Sequence, residues 1–287
     1  MNNVRYKSEI IDGCNIFYRE SGKPANKTIV LLHGNPSSSY MYRDILSELG
    51  DEYYLVAPDY PGFGESDSPD PEQYDYTFDN IADTIEKLLI KKSINKYTLM
   101  IHDFGAPIGF KIAIKNPEKI DGFITMNGNA YEEGLHEKTW ASLRDYWKGR
   151  SSELDKKIYD RSVELIKWRW VHGTRNPESI SPDTWKLDLY NHTRKWQSNI
   201  CTSLYFDYQN NVKEYPQWQK YLRDNQPPML VVWGKNDLFF PESGAIAYKK
   251  DLKEIDYNIL DTGHFPLEEE GDFIISKIRS FMKKNIA

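Results

Sequence analysis

Cysteine is nearly absent from this 287-residue chain. Only Cys14 and Cys201 occur, too few for the disulfide framework of a small secreted domain and too far apart for a metal site. Both are read as small buried hydrophobes. No uncharged stretch approaches the roughly 20 residues needed to span a bilayer, and the opening Met1-Asn-Asn-Val-Arg-Tyr-Lys-Ser lacks the apolar core of a signal peptide. Basic excess is missing as well. A net charge of -6 announces no positive face for nucleic acid. These deficits point to a soluble, cytoplasmic globular protein, monomer or homodimer, with a small molecule as its partner and neither nucleic acid nor membrane. Aromatic residues, by contrast, are plentiful: 14%, with 8 Trp and 20 Tyr, so where they cluster matters.

Strand-like runs occur at Cys14 to Arg19, Thr28 to Leu32, Tyr54 to Ala57, Thr98 to Ile101, Gly122 to Met126, Met229 to Val232 and Tyr257 to Leu260. From residue 28 onward they alternate with helical patterns; the clearest carries Phe78, Ile81, Ile85 and Leu88 on one stripe. Alternation of this kind predicts a mostly parallel sheet flanked by helices, whose ligands bind beyond the carboxyl ends of the strands. The rhythm stops between Tyr131 and Tyr215, where only helical stretches appear. Residues 132–214 are therefore read as an inserted helical lid, and 1–131 with 215–287 as the two parts of one α/β core. The lid carries Trp140, Trp147, Trp168, Trp170, Trp185 and Trp196. Most of its aromatics must simply hold a small helical layer together, while a few line the space beneath it.

Four residues follow strand ends. After Thr98 to Ile101 comes His102-Asp103-Phe104-Gly105 and then an apolar helical pattern, which raises Asp103 on a strand-to-helix turn, the nucleophile elbow. A carboxylate there, where serine is usual, shifts the chemistry from ester cleavage towards attack on an alkyl carbon. His33-Gly34-Asn35-Pro36 follows another strand; alone it is a turn or half an oxyanion hole, and beside Asp103 the second reading strengthens. Asp237, in Gly234-Lys-Asn-Asp-Leu-Phe-Phe-Pro, supplies an acid. Asn127 holds the other place for one, but an amide cannot stabilise an imidazolium as a carboxylate does. Among six histidines, His264 alone sits on a loop after the last strand, giving the order nucleophile, acid, histidine. Ser37, Ser38 and Ser39 are read as helix caps, and Asp59 as structural.

These motifs together resemble the α/β-hydrolase superfamily over essentially the whole chain. More narrowly, HGNP, PDYPGFGESD, HDFGAPIGF, GKNDLFFP and TGHFPLEE resemble its haloalkane dehalogenase and epoxide hydrolase branch. The resemblance implies an α/β-hydrolase fold, a triad of Asp103, Asp237 and His264, and no metal or organic cofactor. It implies that Asn35 helps to hold a departing halide. The dehalogenases' tryptophan after the nucleophile is replaced by Phe104, which cannot donate, so a lid tryptophan such as Trp147 would have to supply that bond. Epoxide hydrolases usually carry an aromatic residue where Asn35 stands and use two lid tyrosines to protonate the epoxide oxygen, for which Tyr146 with Tyr205 or Tyr208 are candidates. Fluoroacetate dehalogenases carry arginines just after the nucleophile, and Phe104 and Pro107 do not provide them. A lactone-cleaving lyase of the same ancestry stays open.

The expected chemistry is a two-step hydrolysis. Asp103 forms an ester with a small apolar electrophile, with a dehalogenase-like reaction first and epoxide opening second. His264, held by Asp237, then activates water, while the backbone N–H groups of Asn35 and Phe104 stabilise the oxyanion. A ligand-binding protein without turnover is the third reading, since fold does not fix function; the intact set of triad residues argues against it.

Overall fold

A computed structural model describes residues 4–286. Eight strands form one sheet: β1 (Arg5–Ile11), β2 (Cys14–Ser21), β3 (Thr28–Leu32), β4 (Tyr54–Pro58), β5 (Tyr97–His102), β6 (Ile120–Met126), β7 (Met229–Gly234) and β8 (Asp256–Leu260). Their spatial order is β1-β2-β4-β3-β5-β6-β7-β8. β2 runs antiparallel to both its neighbours, and every other pairing is parallel.

The parallel strands β3, β4 and β5 are buried along their entire length, as a sheet covered on both faces requires. Alternate side chains feed two cores. Val30, Leu32, Leu99 and Ile101 pack with the residues of α2 (Phe78–Lys91) and α3 (Gly105–Lys115). Ile29, Leu31 and Met100 face α1 (Arg43–Leu49) and α10 (Leu267–Asn285). Each fully buried aliphatic side chain contributes about 1.5–3 kcal/mol, so the period-2 alternation fixes the strand register. The expected stripe of α2 is buried, and Thr77 caps the helix by accepting from the Asn80 N–H.

β1 was not expected from the sequence. It lies at the sheet edge with its side chains largely in solvent, so no apolar pattern marks it. Asp12 and Gly13, both at positive φ, turn it into β2.

Between β6 and β7 lie α4 (Glu137–Tyr146), α5 (Ser152–Glu164), α6 (Ile166–Val171), α7 (Pro182–Asn191) and α8 (Gln197–Asn225). Two further helices follow: the short α9 (Glu242–Ala247) after β7, and the 19-residue α10 after β8. α8 is continuous across residues 214 and 215, where the sequence reading put the seam between lid and core. Its first half carries Tyr205 over the strand ends, while Trp218 in its second half stacks on Phe110 of α3 at 5.3 Å between ring centres. No helix among the described residues is long and apolar enough to cross a membrane.

Candidate functional site

Asp103 occupies the two-residue turn between β5 and α3 with φ at +47°, a left-handed conformation costing a non-glycine residue roughly 1–3 kcal/mol. Small neighbours make it possible. A Cβ on Gly34 would stand 2.4 Å from the Asp103 Cβ, and one on Gly105 would stand 2.1 Å from the Leu32 carbonyl oxygen. The turn divides the two carboxylate oxygens. Oδ1 accepts the backbone N–H groups of Asn35 and Phe104, each at 2.7 Å. Oδ2 takes neither; it stands 3.7 Å from Nε2 of His264, beyond direct hydrogen bonding.

His264 is buried on the loop after β8. Its Nδ1 lies 2.7 Å from Oδ2 of Asp237; a carboxylate there accepts, which places the proton of the neutral ring on Nδ1 and turns Nε2 as an acceptor towards Asp103. Asp237, on the loop after β7, is held from four sides. Its Oδ1 accepts the N–H groups of Phe239 and Phe240 at 2.7 and 3.1 Å, and its Oδ2 also accepts from Nδ2 of Asn127 at 2.8 Å. Asn127 in turn accepts the Gly234 N–H at 2.9 Å. Asn127 thereby pins Asp237 in place, a contact that nothing in the sequence pattern announced. Burial disfavours a charged His264, yet Asp237 and Asp103 outweigh it and the imidazole pKa is raised. Burial also raises the Asp103 pKa, against the pull of His264, the two N–H groups and Arg169.

Above Asp103 lies a cavity of about 70 Å³, room for a small organic molecule or a few waters. Phe104, Trp140, Leu143, Ile158, Phe239 and Phe240 make it mostly apolar; Asn35, Tyr205 and Arg169 are its inner polar groups. Of the lid candidates only Tyr205 reaches it. Three expectations need correction. The indole N–H of Trp147 donates to the Tyr205 backbone carbonyl at 2.8 Å and is spent there. Tyr146 points its hydroxyl at Asp155. Tyr208 packs edge-on against Phe78 and meets the Tyr215 hydroxyl at 3.4 Å. Helical spacing alone could not tell which face of each lid helix turns inward.

The Tyr205 hydroxyl is unusually crowded. Nδ2 of Asn35 donates to it at 2.8 Å and Nη2 of Arg169 at 3.0 Å, while Ser162 Oγ lies at 2.9 Å. Two obligate donors fill its acceptor positions, so its proton can go only to Ser162 or to a visitor in the cavity. Arg169 and Ser162 were missed from the sequence; the single available signal was a charged residue inside Trp168-Arg169-Trp170.

The remaining candidates stay outside the cavity. His102 lies beneath His264, bonded through Nδ1 to the Met126 carbonyl, and His33 stacks on Tyr60. Burial pushes the His33 pKa down to about 4. Asp59 ties its loop by accepting the Ser39 and Glu65 N–H groups, and Ser38 caps the turn at Ser39–Tyr42. Among the described residues no cluster of side chains suits a metal ion.

Comparison with known proteins fits this geometry. The sequence profile of a family described as alpha/beta hydrolase fold matches residues 27–271. An uncharacterized hydrolase of Saccharomyces cerevisiae, YNR064C, is 41% identical over 98% of this chain and 97% of its own. A cis-3-alkyl-4-alkyloxetan-2-one decarboxylase of Shewanella oneidensis is 26% identical over 94% of this chain and 86% of its own. Haloalkane dehalogenase 2 of Mycobacterium tuberculosis is 36% identical over 34% of each chain. Among solved structures, epoxide hydrolase VrEH1 from Vigna radiata superposes with a TM-score of 0.78 at 18% identity, covering 98% of both chains. With its sheet order, its strand-end loops and these relatives, the chain belongs to the alpha/beta hydrolase fold family.

Proposed function

We propose that this protein hydrolyses a small, strained oxygen ring through an ester on Asp103, with epoxide opening favoured over halide displacement. The observation that carries the preference is where the hydrogen-bond donors point. A departing halide needs N–H groups converging on it beside the nucleophile, and there Phe104 has none in its side chain, the Trp147 indole is committed to the Tyr205 carbonyl, and one of the two Asn35 amide N–H groups is taken by the Tyr205 hydroxyl. A ring oxygen instead needs a proton, and the Tyr205 phenol lines the cavity with its own oxygen already held by two donors.

In the first step Oδ2 of Asp103, free of N–H donors, attacks a ring carbon. The carbon–oxygen bond breaks, its electron pair stays on oxygen, and that oxygen takes the Tyr205 proton. Burial resists a charged phenolate, whereas Arg169 favours it. In the second step His264 takes a proton from water in the gap between Nε2 and Asp103, and the hydroxide adds to the ester carbon. Oδ1, now the ester carbonyl, already sits between the Asn35 and Phe104 N–H groups, so the charge develops in a preformed oxyanion hole; each such donor is worth roughly 3 kcal/mol of barrier. Collapse releases the diol and the carboxylate, and the proton on His264 returns Tyr205 to the phenol by way of solvent. Residues 132–214 act as the lid of this cavity, and the α/β core supplies the triad.

Replacing His264 by Gln blocks the second step and traps the ester. Intact mass spectrometry then separates the readings: an epoxide adds its whole mass to Asp103, a haloalkane adds its alkyl group only. Adducts from epoxides are expected. Alkyl adducts from haloalkanes with none from epoxides would reverse the preference, and no adduct from either panel would remove Asp103 as nucleophile.

A further inference from the structure

Resting on the ring-opening reading above, we infer that the cavity takes a substrate bearing a carboxylate, and that Arg169 binds it. Arg169 lies on α6 and is only 7% exposed. Burying a guanidinium is costly unless it is paired, yet no carboxylate forms an ion pair with it among the described residues. Its Nη2 is used by Tyr205; its Nη1 is buried without a partner, and the residue lines the cavity. The guanidinium plane rests on Phe239, 5.0 Å from the ring centre, which holds the fork in place without satisfying its N–H groups.

A second observation points the same way. Arg161, exposed on α5, also lines the cavity and donates to Ser142 near its mouth. Two cations therefore flank a space whose only acidic wall residue is Asp103, in a chain whose net charge is -6. A local positive field inside a negative protein concentrates anions at that opening. It also offsets the repulsion that an anionic substrate would meet from Asp103.

The position limits the ligand. Nη1 belongs to the same guanidinium whose Nη2 touches the Tyr205 hydroxyl. A carboxylate on Nη1 and a ring oxygen on Tyr205 are thus next to each other, which suits an oxirane whose ring carbon, or the carbon beside it, carries the carboxylate. The carboxylate is a spectator: the only bonds that change are those to the attacked carbon and the departing oxygen, and the transferred proton is that of Tyr205.

Binding and labelling test this separately. In the wild-type protein, glycerate should bind about 10–100-fold more tightly than the neutral 2,3-dihydroxypropanamide, the increment expected of a charge-assisted hydrogen bond, read by thermal shift against ligand concentration. Arg169→Met should erase that preference. Arg169→Gln keeps a donor for Tyr205 while removing the charge, and should erase it too if the methionine variant fails to fold. No preference in the wild type, or an unchanged preference in both variants, overturns the subsite. In the His264→Gln protein, oxirane-2-carboxylate should label Asp103 at least 10-fold faster than oxirane-2-carboxamide. Labelling by the amide without carboxylate-selective binding sinks the subsite and spares ring opening; carboxylate-selective binding without labelling by either oxirane supports the subsite and sinks ring opening.

Discussion

Replacing Asp237 by Asn should leave ester formation running and stop ester hydrolysis, because of how the four donors around this carboxylate are arranged. Phe239 and Phe240 point N–H groups at Oδ1, whereas His264 Nδ1 and Asn127 Nδ2 point theirs at Oδ2. An amide can face only one pair with its oxygen. The backbone pair cannot turn, so the new NH2 group meets His264 and Asn127. His264 must then accept at Nδ1 and carry its proton on Nε2, the nitrogen that should receive one from water. Loss of the working tautomer costs about 10⁴ in turnover in comparable triads, or roughly 5 kcal/mol of barrier. Asn127 cannot relieve the clash by flipping, since its Oδ1 accepts from Gly234 and its Nδ2 also donates to the Gly234 carbonyl. The fold should therefore lose a further 1–3 kcal/mol or so. Rapid quench with mass detection would show a burst of adduct equal to the enzyme concentration, followed by almost no turnover. A steady-state rate within tenfold of wild type, or hydrolysis that keeps pace with ester formation, would refute this account of His264.

Other perturbations address separate parts of the site. Tyr205→Phe should slow adduct formation in the His264→Gln background by about 100-fold through loss of the proton donor, and should lower the melting temperature, because Asn35, Arg169 and Ser162 lose their shared partner. An unchanged labelling rate would remove Tyr205 from the chemistry. The two steps should also differ in pH dependence. Ester formation needs ionised Asp103, whose pKa is raised above 3.8 by burial, and removing His264 takes away a counter-charge that lowers it, so labelling of the His264→Gln protein should fall off in acid with a midpoint above 3.8. Full turnover needs neutral His264, raised above 6.5, so the wild-type acid limb should lie above 6.5; a labelling midpoint at or below 3.8 contradicts the burial of Asp103. Asp188, buried against the Trp170 indole at 2.7 Å, has its pKa pushed by burial from 3.8 up to about 7. Its neutral form is favoured in the folded state, so its contribution is complete below about pH 4 and is lost as pH rises through 7. Asp188→Asn should then stabilise the protein at pH 8 by up to about 4 kcal/mol and hardly at pH 4; equal melting shifts at both pH values would refute this.

Much of this was legible in the sequence because the groups proposed for the chemistry follow strands, fully buried ones before Asn35, Asp103 and Asp237 and a half-buried one before His264. A run such as Thr98 to Ile101 can hardly be anything but an interior strand, and the residue after it must emerge at the sheet's carboxyl edge. Asp103, Asp237 and His264 were found that way, and Asn35 likewise. β1 was missed because Arg5, Lys7 and Glu9 on a solvated edge strand present no apolar period, although Asp12-Gly13 is a hairpin signal that could have located it. The lid was harder. Its helices are amphipathic on short, tryptophan-rich segments whose inward face is decided by packing over the core, so Tyr205 could not be separated from Tyr208, three residues on, nor Trp147 from Trp140. Arg169 was marked only by the tryptophans on either side of it: a basic residue on a helix is ordinarily in water, and only the fold puts this one inside.

One long rod, α8, is shared between the roof of the cavity and the sheet's own packing. Its later turns are anchored through Trp218 on Phe110, and its earlier turns carry the phenol that faces Asp103. The Tyr205 hydroxyl is thus tied both to the core, through its helix, and to α5 and α6, through Ser162 and Arg169, so a change in the sheet's packing against α8 should be felt in the proposed ring-opening step as well as in stability.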